Sequence, residues 1–102
     1  MTKYVIREIF VAKPGQAGKL AKLFKKSFLS MPIGTRIMTD AVGPYNTVVM
    51  EFEVDSLAEW EKQMNDMRAG KLDPNMNPET MEEMKKYTEM YIEGKREIWR
   101  VE

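Results

Sequence analysis

The 102-residue chain has no cysteine and no histidine. Without thiols there can be no disulfide, thiolate metal site or cysteine nucleophile. Without imidazole the chain lacks the usual general base near neutral pH, the commonest transition-metal ligand and a frequent haem ligand, and the standard catalytic triads go with it. Net charge is missing as well. Sixteen Lys and Arg balance sixteen Asp and Glu, which removes the cationic footprint of a nucleic-acid binder. No run reaches the roughly 18 apolar residues of a membrane-crossing helix. The opening Met1-Thr2-Lys3-Tyr4-Val5-Ile6-Arg7-Glu8 carries charge where a signal peptide is apolar. These absences predict a cytoplasmic protein with no metal site, no bound cofactor, no nucleic-acid partner and no membrane partner.

No linker-like stretch divides the sequence, so residues 1–102 are read as one domain. A first strand is expected over residues 3–12, where Tyr4, Val5, Ile6, Ile9, Phe10 and Val11 precede the turn signal Pro14-Gly15. From Gln16 to Leu29, Ala17, Leu20, Leu23, Phe24 and Phe28 recur at helical spacing opposite Lys19, Lys22, Lys25 and Lys26. The segment Ser30-Met31-Pro32-Ile33-Gly34 stops that helix. Thr35–Ala41 and Thr47–Val54 read as a hairpin around Gly43, Pro44 and Asn46. Ser56 with Glu59 has capping-box spacing, opening a second helix whose stripe is Leu57, Trp60, Met64 and Met67, fading near Ala69-Gly70.

A third helix is expected after Asn77-Pro78, with Met81, Met84, Thr88, Tyr91 and Ile92 as its stripe and Gly94 at its C-terminus. Glu97–Val101 is then a last short strand. The order β-α-β-β-α-α-β is an α+β, ferredoxin-like arrangement with all helices on one face of a four-stranded antiparallel sheet. Val48, Met50, Phe52 and Val54 make the strand face that belongs beneath the helices. The first strand, however, offers apolar groups to both sides: Tyr4, Ile6 and Phe10 on one, Val5, Ile9 and Val11 on the other. A bare apolar sheet face predicts pairing with a second copy of the chain, a homodimer formed through that face.

The element order, the strand ending in Lys13-Pro14-Gly15, and the run Gly43-Pro44-Tyr45-Asn46-Thr47-Val48-Val49 leading into Asp55-Ser56-Leu57-Ala58-Glu59 resemble the NIPSNAP-like branch of the dimeric α+β barrel superfamily. The resemblance implies two sheets closing into one barrel, with a pocket between sheet and helices or inside the barrel. It implies no single reaction, because the superfamily includes cofactor-free monooxygenases, haem-degrading enzymes, isomerases and members without known activity. The haem-degrading members rely on a histidine ligand that this chain lacks.

Glu8, Glu51 and Glu53 are the acid-base candidates. All three are placed on the sheet face away from the helices, where partial burial would raise a carboxylate pKa toward a useful range. The plainer explanation is that Arg7, Arg36, Arg96 or Arg100 neutralises them across strands. Arg36, Met38, Tyr45, Trp60 and Trp99 are the ligand-binding candidates. Trp60 and Trp99 also have ordinary packing explanations, and Tyr45 one as a solvent-facing turn residue. Ten methionines suit either a soft core or a cavity for a flat apolar ligand. Two functions stay open: a dimeric barrel that binds a small apolar or aromatic molecule, with cofactor-free oxygenation or isomerisation as its chemistry, or a non-catalytic interaction or ligand-sensing dimer.

Overall fold

The computed structural model of the chain describes residues 3–27, 35–68, 82 and 86–102. Within these residues lie β1 (Lys3–Ala12), α1 (Ala17–Ser27), β2 (Arg36–Thr39), β3 (Thr47–Val54), α2 (Leu57–Arg68), a 3-10 turn (Tyr87–Glu89) and β4 (Tyr91–Val101). The four strands form one antiparallel sheet in the order β2-β3-β1-β4. That is the expected ferredoxin-like topology. The expected stripe residues Met81 and Met84 and their cap Asn77-Pro78, like Phe28 and Leu29, fall outside the described residues.

Local chemistry explains the boundaries. Gly15 has φ 80°, a left-handed conformation that glycine takes without steric cost, and it ends β1. The hairpin between β2 and β3 closes where the Thr47 amide donates to Asp40 Oδ1 at 2.8 Å and the Thr47 hydroxyl donates to the Pro44 carbonyl at 2.9 Å. β2 is shorter than expected, because Thr35 and Asp40 fall outside the ladder and Ala41 lies in an exposed bend. At the start of α2 the Ser56 Oγ accepts from the Glu59 amide at 3.3 Å, the serine half of the expected capping box.

Paired residues of an antiparallel sheet share a face, so the register assigns every side chain. Ile6, Glu8, Phe10 and Ala12 lie with Val48, Met50, Phe52 and, from β4, Gly94, Arg96 and Ile98 on the face the helices cover. Two apolar clusters fill that layer. One joins Leu20, Ala21 and Phe24 of α1 to Ala12 and Val48, with Phe10, Tyr87 and Tyr91 packed against it. The other joins Ile6, Met50 and Phe52, with Trp60 of α2 packed against it. Burying side chains such as Phe24 and Ile6, at 1% and 0% exposure, contributes about 1.5–3 kcal/mol each.

The last strand corrects the sequence reading. Thr88, Tyr91 and Ile92 do not continue a helix, and Gly94 is not a helix cap. A single 3-10 turn precedes β4, which is eleven residues long and runs beside β1 throughout. The pairing slips between Val11 and Ala12, where Ala12 faces Tyr91 and Val11 faces Glu93. Ile92 is thus the extra residue of a bulge. A bulge interrupts the period of two that marks a strand, and long-range pairing with β1 overrides local preference.

Candidate functional site

A cleft of about 290 Å³ opens between α2 and β4. Leu57, Trp60, Glu61 and Met64 recur at helical spacing and so project from one face of α2, with Asn65 beside them. Arg96 and Ile98 are two apart on β4 and reach the same space from the sheet. The Arg96 guanidinium stacks on the Trp60 ring, its carbon 5.0 Å from the ring centroid. Arg96 Nε donates to Glu8 Oε1 at 2.5 Å. Trp60 Nε1 is buried and has no hydrogen-bond partner among the described residues. A second hollow, about 410 Å³, is lined by Lys13, Pro14, Gln16, Lys86, Glu89 and Met90. None of those side chains is buried, so it gives a ligand little to be desolvated against.

Glu8 stands behind the cleft at 9% exposure, where the sheet passes from one apolar cluster to the other. Its register partner Met50 places it on the helix-covered face. The expectation that it lies on the open face is therefore wrong: on β1 the even-numbered residues up to Ala12 all point toward the helices. Tyr87 is close enough to feel the Glu8 charge. Burial first, then Tyr91 and Glu8, push its hydroxyl above the ordinary tyrosine range against an opposing pull from Arg96. Tyr87 is accordingly a neutral donor at physiological pH.

Glu51 and Glu53 do lie on the open face, opposite Arg7 and Val5. Glu51 accepts from Arg36 Nη2 at 2.6 Å and from Arg7 Nε at 3.0 Å. The Arg36 hydrogen bond leads in holding its carboxyl below the ordinary value, with Arg7 adding to it and burial opposing. This reverses the expected direction, because two guanidinium groups outweigh desolvation. A carboxylate held ionised in this way is a weak base. Glu53 is exposed, with Lys3 at 3.9 Å.

The five predicted ligand residues do not converge. Trp60 alone lines the cleft. Arg36 and Met38 lie on the open face opposite Glu51 and Val49. Trp99 faces the same side, 55% exposed rather than core, and its Nε1 donates to Glu97 Oε1 at 3.2 Å. Tyr45 is exposed in the hairpin loop, as its turn position suggests. The residue the sequence reading missed as a cleft group is Arg96. Its signal was the alternation Gly94, Arg96, Ile98, hidden by reading Gly94 as the end of a helix.

No protein-family model matches the chain, and no curated protein does. Among solved structures, a NIPSNAP family protein from Agrobacterium tumefaciens superposes with TM-score 0.74 at 10% identity, over 98% of this chain and 86% of its own. A second Agrobacterium NIPSNAP family protein, of unknown function, gives 0.71 at 16% identity over 98% and 87%. The chain has the fold of the NIPSNAP proteins. A candidate antibiotic biosynthesis monooxygenase from Chloroflexus aurantiacus also shares it, with TM-score 0.62 and 15% identity over 94% and 91% of the two chains. Among the described residues there is no group of three or more acidic side chains placed to hold a metal ion, and no helix long and apolar enough to cross a membrane.

Proposed function

We propose that the protein binds a small, flat, mostly apolar molecule in the cleft between α2 and β4, and that it works as a homodimer joined through the open faces of its sheets. The Trp60 indole on the cleft wall, capped by the Arg96 guanidinium and flanked by Leu57, Met64 and Ile98, carries the binding reading. An aromatic platform with apolar neighbours and a few convergent polar groups is the usual make-up of a small-molecule site. The volume, near the low end of the roughly 300–1,000 Å³ such sites span, favours a ligand of one or two rings. Half-buried Val5, Ile9, Val11, Met38 and Val49 on the open face support the dimer.

A catalytic reading, cofactor-free oxygenation or isomerisation of the bound molecule, draws support from the fold shared with the Chloroflexus protein. Glu8 is then the carboxylate to serve it, since it is buried and linked to the cleft through Arg96, whereas Glu51 is pinned by two arginines and Glu53 is exposed. The test is Trp60 fluorescence in a Trp99→Phe variant titrated with naphthalene derivatives. Saturable quenching that is abolished by Met64→Arg, which fills the cleft and keeps the Trp60 reporter, supports the cleft, and no quenching removes it. If a substrate is turned over, Glu8→Gln abolishes turnover and Glu51→Gln leaves most of it; the reverse pattern rejects Glu8.

A further inference from the structure

We infer, on the reading that this cleft is the binding site, that its ligand is uncharged and carries a carbonyl-type oxygen that accepts a hydrogen bond from Trp60 Nε1, with Glu8 as the positioning residue that neutralises Arg96. The first observation is the indole N–H, buried and without an acceptor among the described residues. Nearly every buried donor in a folded protein is paired, and one left unpaired costs about 1–3 kcal/mol. Leu57, Met64 and Ile98 cannot supply a good acceptor, and Glu61 and Asn65, which carry acceptor oxygens, make no hydrogen bond to the indole N–H. An oxygen brought by a ligand can.

Charge at the cleft decides what kind of oxygen. Arg96 is the cation in the lining, and Glu8 already holds its Nε. Glu61 adds a second carboxylate on the α2 side. One positive group therefore faces two negative ones, and an entering anion meets no surplus of positive charge to offset its desolvation. Glu61 would attract a cation, but a cation accepts no hydrogen bond and would leave the buried N–H unsatisfied. A neutral carbonyl satisfies the donor and brings no charge. The guanidinium stacked on the Trp60 ring has solvent to move into, its side chain 36% exposed. Among the described residues Glu8 holds the guanidinium at Nε.

Three probes of nearly equal shape separate the possibilities: acetylnaphthalene, ethylnaphthalene and naphthoate. Their affinities are measured by calorimetry, and the Trp60 indole N–H resonance is followed in the Trp99→Phe protein by proton–nitrogen correlation spectroscopy. Acetylnaphthalene should bind about tenfold tighter than the other two, the effect of one satisfied buried donor, and should move the indole proton downfield. Trp60→Phe, which keeps a ring and loses the N–H, should bring acetylnaphthalene and ethylnaphthalene to within about twofold of each other. Glu8→Gln, which frees the Arg96 charge, should raise naphthoate affinity about fivefold or more relative to acetylnaphthalene. Equal binding of acetylnaphthalene and ethylnaphthalene by the unaltered protein, or preference for naphthoate, overturns the inference while leaving the cleft a binding site. Failure of all three to bind overturns the cleft reading and the inference with it.

Discussion

The two faces of the sheet each bury one glutamate against arginine, and they do so in different company. On the helix-covered face Glu8, 9% exposed, meets one guanidinium amid Ile6, Met50 and Phe10. On the open face Glu51, 7% exposed, is gripped by two arginines whose side chains are 38% and 65% exposed, and Arg7 extends the network to Glu97. The first pair borders a cleft and shares its cation with an aromatic ring. The second ties β1, β2 and β3 together. Equal burial thus goes with different surroundings: two guanidinium partners for Glu51, one partner and a bordering cleft for Glu8.

The contrast breaks most visibly at the helix-covered core. Phe24→Ala removes the ring that packs at 5.2 Å from Phe10, and chemical denaturation should show a loss of about 3–5 kcal/mol. On the open face, Ile9→Lys should leave the isolated fold intact and convert the dimer to a monomer in light scattering, because a lysine in the middle of an apolar contact would be buried unpaired. A monomeric unaltered protein at micromolar concentration rejects the paired-sheet proposal outright.

A smaller effect distinguishes the glutamates. Glu51→Gln leaves Arg7 and Arg36 without their anion, at a cost of about 1–2 kcal/mol, below that of a fully buried pair because both arginines reach solvent. Since its folded pKa lies below the ordinary 4.5, the Glu51 contribution is fully present above that value and is lost as pH falls through the lowered one. Stability curves of the unaltered and Glu51→Gln proteins should therefore converge as pH is lowered below about 4. Smallest of all, Tyr45→Ala in the hairpin loop should shift stability by less than about 0.5 kcal/mol and leave probe binding unchanged.

Much of the architecture is legible in the sequence where hydrophobic period and turn chemistry agree. Leu20, Leu23 and Phe24 announced α1, and Ser56 announced the start of α2, because those signals are local. The face of Glu8 was not legible from β1 alone, since apolar residues flank it on both parities and only the partners Met50 and Arg96 decide. The cleft was half legible: Trp60 stood on a visible stripe, whereas Arg96 entered view only once β4 was known to begin at Tyr91. That start depends on pairing with β1, a contact across some eighty positions of chain that no local window contains.

The slip in the ladder at Val11–Ala12 has a consequence for how the last strand is phased. With Ile92 set aside, Tyr91 joins the aromatic rings around Phe10, and Arg96 and Ile98 still point the same way toward α2. In an unbroken ladder Tyr91 and Arg96 would sit on opposite sides. Ile92, 66% exposed, acts as a spacer that brings the two halves of the strand into step, and the chain can lose it there without any other side chain changing sides.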